Sequence, residues 1–151
     1  MSTAVDSGVV RVLVVDDEPD VRFMLRHLLS NADGFEMVGE AADGAKAVEL
    51  AQRLQPDVIV LDLMMPNMSG DQAIPHLLEA SPTSMVVVYS GASADDDTQH
   101  QLLNAGAFAY YPKTDADVLT KRLTADLQRF QRVLDGQETV PSWMTDGHGG
   151  H

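Results

Sequence analysis

The chain has 151 residues, 44% of them hydrophobic, no cysteine and a formal net charge of −13. That length and apolar content suit one folded domain with a single core and exclude a disordered chain. The missing thiols exclude disulfides and thiolate metal centres, and an acidic balance with no basic stripe argues against direct contact with nucleic acid.

Met1 to Gly8 is short, polar and carries an aspartate. It lacks a basic region followed by an apolar core, so it reads as a flexible N-terminus rather than a signal peptide. No apolar run is long enough to span a membrane. A cytoplasmic protein is the expectation.

Val9 to Val15 reads as a buried strand broken only by Arg11, and it ends in Asp16-Asp17-Glu18. Pro19 stands where a first helical turn tolerates proline. Val21, Leu25, Leu28 and Leu29 follow at helical spacing, with Arg22 and Arg26 off that face. Asn31 to Gly34 closes the helix, and Phe35 to Ala41 is a second, weaker strand. Asp43-Gly44 makes a turn. Ala47, Val48, Ala51 and Leu54 mark a second helix, which Pro56 stops.

Val58 to Gly70 organises the rest. Its apolar β-branched start fits a strand buried on both faces, and it runs into one carboxylate, Asp62, before turning through Pro66. A third helix follows Gly70, with Ile74, Leu77 and Leu78 inward and Pro75 making a kink or a late start. Met85 to Tyr89 is a fourth strand ending in Ser90-Gly91-Ala92. Ser93 to Asp96 resembles a capping box, opening a helix that runs to Asn104. Phe108 to Tyr111 is a fifth strand ending at Pro112-Lys113. Thr114 caps a last helix with Leu119, Leu123, Leu127, Phe130 and Leu134 on one face. From Gly136 the composition turns polar and glycine-rich, so the domain spans 9–135 and 136–151 forms a flexible tail.

Five strands, each followed by a helix, argue a doubly wound α/β fold with a parallel sheet between two helical layers. The flavodoxin-like order 2-1-3-4-5 is one of two common orders, and it puts the topological switch between the first and third strands. Asp16, Asp17, Asp62, Ser90 and Lys113 all fall at carboxyl ends of strands, on one rim. Three carboxylates in one crevice raise each other's pKa or recruit a cation. With only oxygen ligands on offer, Mg²⁺ is the natural candidate.

The acidic pair Asp16-Asp17, Asp62 with Met65-Pro66 and Gly70, then Ser90, Tyr110 and Lys113 together resemble a receiver domain of the CheY-like two-component response-regulator family. The likeness spans about Val10 to Leu134. It implies the (βα)5 flavodoxin-like fold of order 2-1-3-4-5, and a phosphoacceptor switch rather than an enzyme with a substrate of its own. By this resemblance Asp62 is the nucleophile that takes a phosphoryl group from a phosphohistidine of a sensor histidine kinase or phosphotransfer protein. Asp16, Asp17, Asp62 and the backbone carbonyl of Met64 hold Mg²⁺. Lys113 and Ser90 bind the phosphoryl oxygens, and Ser90 with Tyr110 carries the switch to the fourth helix, fifth strand and fifth helix.

In the family a proline often follows the lysine; here Thr114 follows and Pro112 precedes. Met64 and Ala92 flank the phosphoryl position with no ionisable group, so loss of the phosphoryl group to water is expected to be slow. Two other readings compete. One is a receiver-shaped interaction module that no longer uses phosphate, against which the complete acidic set argues. The other is a Mg²⁺-dependent phosphohydrolase with an aspartyl nucleophile; haloacid-dehalogenase-like enzymes carry a second aspartate two residues on, where this chain has Met64. Output is expected through a downstream protein effector, since too few residues follow Leu134 for an effector domain. Lys121, Arg122, Arg129 and Arg132 edge the last helix, where they support a partner or homodimer contact or simply form a solvated face.

Overall fold

The computed structural model describes residues 8–65, 68–91, 95–113 and 118–136. Five strands, β1 (Val10–Val15), β2 (Phe35–Ala41), β3 (Val58–Leu61), β4 (Met85–Ser90) and β5 (Ala109–Pro112), alternate with five helices, α1 (Pro19–Asn31), α2 (Gly44–Leu54), α3 (Gly70–Ala80), α4 (Asp96–Ala105) and α5 (Leu119–Leu134). The strands form one parallel sheet in the order β2-β1-β3-β4-β5. This is the doubly wound (βα)5 arrangement expected from the alternation.

The period-2 alternation of the strands divides the core between the two faces of the sheet. Val12, Val14, Val58, Val60, Val87 and Tyr89 face one way, where Leu25 and Leu29 of α1 and Leu119, Leu123 and Leu127 of α5 cover them. Leu13, Val15, Ile59, Leu61, Val86 and Val88 face the other way, under Leu50 of α2, Ile74 and Leu77 of α3 and Leu102 of α4. All six residues of β4 are buried, which is why this stretch reads as a continuous apolar run rather than an alternating one. Each such buried Val, Leu or Ile contributes about 1.5–3 kcal/mol through area removed from water.

Several boundaries differ from the sequence reading. β1 starts at Val10, because Val9 is half-way into solvent and outside the ladder. β4 runs one residue further, through Ser90, and β5 is shifted by one to Ala109–Pro112. Pro75 does not delay α3. The helix begins at Gly70, where the Gln72 carboxamide accepts from the Ser69 backbone N–H at 3.2 Å, and Pro75 is carried inside it. α4 is capped by Asp95, whose Oδ1 accepts from the Thr98 backbone N–H at 2.8 Å. Ser93, expected to cap it, lies outside the described residues, as does Thr114, expected to cap α5. Residues 1–7 and 137–151, which hold nearly all of both expected flexible ends, also lie outside them. At Gly106, which ends α4, φ is +122°, a backbone conformation that strains any side chain, and a Cβ would also push on Leu78 Cδ1 of α3 at 2.2 Å.

Candidate functional site

The sheet register builds the site. Val15 pairs with Leu61, and Leu61 with Val88, so the residues that follow β1 and β3, Asp16 and Asp62, emerge side by side. Their backbones continue the ladders: the Asp16 N–H donates to the Ala41 carbonyl at 3.0 Å and the Asp62 N–H to the Val15 carbonyl at 2.8 Å. Both residues are therefore placed by backbone bonds that extend the sheet. Ser90 pairs with Pro112 one step further along, which brings Lys113 over the same rim.

Asp16, Asp62 and Ser90 are buried, at 2%, 5% and 1% exposure, while Asp17 stands in solvent. Ligand oxygens of Asp16, Asp17 and Asp62 lie within 4.8 Å of one another. An all-oxygen, anionic donor set of this spacing fits a hard divalent cation such as Mg²⁺. The Lys113 ammonium enters the same cluster. Its Nζ is 2.8 Å from Asp16 Oδ2, 3.6 Å from Glu18 Oε1 and 3.8 Å from Asp62 Oδ1. Asp16 Oδ1 accepts from the Glu18 backbone N–H at 2.9 Å, so both oxygens of Asp16 are engaged. Asp17, Glu18, Asp62, Met64, Ser90, Gly91 and Lys113 line an open cleft of about 390 Å³ over the cluster.

Electrostatics distinguish the two buried roles. Burial, and then the Asp16 charge, push the Asp62 carboxyl above the usual range, against the opposing pull of Lys113 and hydrogen bonds from Ser90 and the Met64 backbone. Burial draws the Lys113 ammonium down, but Asp16, Asp62 and Glu18 outweigh it, and the net shift is upward. Lys113 therefore stays charged through the neutral range. An Asp62 carboxyl raised on folding weakens the folded state once ionised: the cost is absent below the unfolded pKa and complete above the folded one. Asp62→Asn is accordingly expected to raise the unfolding midpoint in chelator at neutral pH. The gain should shrink as pH falls through the carboxyl's titration. Thermal melts from pH 4 to 8 check this, and an equal or lower midpoint for the variant at neutral pH would contradict it.

Of the residues singled out from sequence, Asp16, Asp17, Asp62, Met64, Ser90 and Lys113 are brought together. Tyr110 is not. It is half-buried and borders a separate groove with Asp96, Gln99, His100 and Leu103, between β5 and α4. Ala92 lies outside the described residues. Glu18 was missed as a lining residue. An acid at a helix start reads as a dipole partner, and nothing in the spacing reveals that it reaches Lys113. Gly70 is the other contributor whose reason is structural: a Cβ there would come within 2.8 Å of the Asp62 carbonyl oxygen and 2.9 Å of Leu63 Cα.

Comparison with known proteins gives a consistent picture. The family model described as the response regulator receiver domain matches residues 12–124. A protein-glutamate methylesterase/protein-glutamine glutaminase of Alkalilimnicola ehrlichii is 39% identical over 135 residues, covering 87% of this chain and 32% of that protein. The chain thus spans about a third of the length of the curated relatives it matches. Among solved structures, the response regulator domain of Thermotoga maritima CheB superposes with a TM-score of 0.73 at 29% identity, covering 80% of this chain and 97% of that one. A chain of the CheX–CheY–BeF3–Mg²⁺ complex of Borrelia burgdorferi gives a TM-score of 0.73 at 26% identity, covering 80% and 92%. With the family model matching most of its length and the rim cluster assembled on the expected fold, this chain belongs to the response regulator receiver family.

Proposed function

We propose that the chain is a phosphoacceptor switch of a two-component phosphorelay, taking a phosphoryl group on Asp62 from a phosphohistidine of a sensor kinase or phosphotransfer protein. The observation that carries this reading is the buried Asp62 carboxylate, on a residue whose backbone extends the sheet, lining an open cleft 3.8 Å from the Lys113 ammonium. In the transfer, an Asp62 oxygen forms a bond to phosphorus as the N–P bond breaks. The imidazole nitrogen departs with the electron pair of that bond. Lys113 meets charge on the phosphoryl oxygens as a compact point cation, and the Ser90 hydroxyl donates to the same oxygens. Asp16, Asp17, Asp62 and the Met64 carbonyl would hold Mg²⁺, which when bound offsets the repulsion between an anionic nucleophile and an anionic phosphoryl group.

Output follows from where Ser90 sits. It ends β4, beside β5, so a hydroxyl drawn toward the phosphoryl group would shift the end of β4 and Gly91. Tyr110 on β5 borders the α4 groove and would answer that shift, changing the balance of two states of the α4–β5–α5 surface read by a downstream protein. We read the chain itself as a switch without a substrate reaction of its own, working in the cytoplasm. No helix among the described residues is long and apolar enough to cross a membrane.

The test is intact mass after incubation with acetyl phosphate and Mg²⁺, beside Asp62→Asn. One added phosphoryl group is expected on the native chain, and none on the variant or in chelator. Absence of any addition to a folded native chain would favour a receiver-shaped interaction module that works without phosphate.

A further inference from the structure

Glu18 closes the acidic stretch after β1 and is the N-cap residue of α1. Its backbone does the capping: its carbonyl accepts from Val21 N–H at 3.1 Å and Arg22 N–H at 3.2 Å, and its own N–H goes to Asp16. Its side chain makes no capping hydrogen bond. The carboxylate instead lines the cleft, 64% exposed, and shares the Lys113 ammonium with Asp62 at 3.6 and 3.8 Å. A single cation thus touches both the nucleophile and a solvent-facing anion at the cleft mouth. This separation lies inside the Debye length of about 10 Å at ordinary salt, so an incoming donor meets the Glu18 charge.

Phosphoryl donors differ in what they bring to that position. An acyl phosphate at neutral pH is a dianion with an uncharged acyl leaving side. An N-phosphoryl donor carries the same phosphoryl charge but a protonated nitrogen, so its net charge is lower and its leaving side is cationic. A carboxylate beside the donor path repels the first more than the second.

We propose that Glu18 sets the donor preference of the cleft, disfavouring acyl phosphates and favouring N-phosphoryl donors with a protonated leaving nitrogen. This rests on Asp62 being the phosphoacceptor. In either transfer the O–P bond to Asp62 forms as the donor bond breaks. Acetate leaves with the electron pair in one case; in the other the nitrogen bonded to phosphorus takes that pair, and the donor departs as neutral ammonia, or as neutral imidazole whose other ring nitrogen carries the proton. Glu18 is a specificity residue here and takes no part in bond making.

The experiment measures initial rates of phosphorylation by intact mass with acetyl phosphate and with phosphoramidate, at saturating Mg²⁺, for the native chain, Glu18→Gln and Glu18→Asp. Mg²⁺ affinity is measured separately by calorimetry. Glu18→Gln is expected to raise the acetyl phosphate to phosphoramidate rate ratio by about threefold or more at low ionic strength. The change should shrink toward unity near 0.5 M salt, as screening of a charge effect requires. Glu18→Asp should keep most of the native ratio. A ratio altered by less than about twofold, altered in the opposite direction, or altered equally at high and low salt would overturn the proposal. So would a change in Mg²⁺ affinity large enough to account for the whole effect. No phosphorylation of the native chain by either donor would instead overturn the phosphoacceptor reading itself, so the two failures are distinct.

Discussion

Lys113→Ala should slow phosphoryl transfer to Asp62 by about 100-fold or more, in the range seen when one preorganised donor to a developing charge is removed. The expectation rests on position. The ammonium is the one cation that the described ion pairs bring to Asp62, it is largely enclosed, and three carboxylates hold it charged. The same geometry predicts an opposite effect on ion binding. Lys113 holds Oδ2 of Asp16 at 2.8 Å, and so competes with a divalent cation for a carboxylate of the acidic cluster. Removing the ammonium leaves Asp16 and Asp62 facing each other without compensation, so Mg²⁺ should bind tighter by up to about tenfold. It should also raise the thermal midpoint of the variant more than that of the native chain. A misfolded variant would lose both properties, so tighter ion binding with slower transfer separates an electrostatic role from damage. Calorimetric Mg²⁺ titration and phosphorylation rates test the pair. A variant that is phosphorylated within about tenfold of the native rate would remove Lys113 from the transfer. Lys113→Arg should recover part of the rate, because it keeps the charge but replaces a compact donor by a planar fork.

Much of this site is legible in the sequence, for a physical reason. In a parallel sheet every strand ends on the same rim, so counting strands and reading the residue just past each one locates the crevice. Asp16, Asp62 and Ser90 could be assigned to one edge because Val9 to Val15, Val58 to Leu61 and Met85 to Tyr89 are apolar enough to be strands in any arrangement. What could not be read was the pairing inside the cluster. Lys113 sits closest to Asp16 rather than to Asp62, and Glu18 turns to the cleft rather than to its own helix. Both depend on where long, flexible side chains come to rest, which depends on neighbours distant in sequence. The same holds for α3. Pro75 signals a disrupted start, but the Ser69–Gln72 cap and the burial of Ala73, Ile74 and Leu77 outweigh its missing N–H and the crowding of its ring against the preceding turn. Tyr110 borders the α4 groove rather than the cleft, and Val88, two residues before Ser90, is its partner in the β4–β5 ladder.

Gly70→Ala should destabilise the domain by about 2–4 kcal/mol and take Asp62 out of position. Helix propensity alone predicts the reverse, since alanine in a helix is favoured over glycine by about 1 kcal/mol. Local geometry decides the sign. Gly70 is buried at the first turn of α3, and its N–H donates to the Leu63 carbonyl at 2.9 Å, closing the loop that leads from Asp62 to the helix. An added Cβ would lie 2.8 Å from the Asp62 carbonyl oxygen, 2.9 Å from Leu63 Cα and 3.3 Å from the Leu63 carbonyl oxygen. All three are backbone atoms, so no side chain can rotate away. Relief requires α3 to slide off β3, against Ala73, Ile74 and Leu77 in the core, or Asp62 to leave the ladder in which its N–H donates to Val15. Either movement displaces the carboxylate from Lys113 and Asp16. Gly91→Ala is the matched control. It borders the same cleft, but among the described residues its Cβ would meet nothing nearer than Lys113 Cδ at 3.6 Å, an ordinary contact. That variant should stay within about 0.5 kcal/mol of the native chain. Urea unfolding at neutral pH in chelator measures both variants in the same conditions. A Gly70→Ala chain as stable as the native one, and phosphorylated as fast, would mean that the close approach of α3 to the Asp62 backbone is not what holds the Asp62 carboxylate in place.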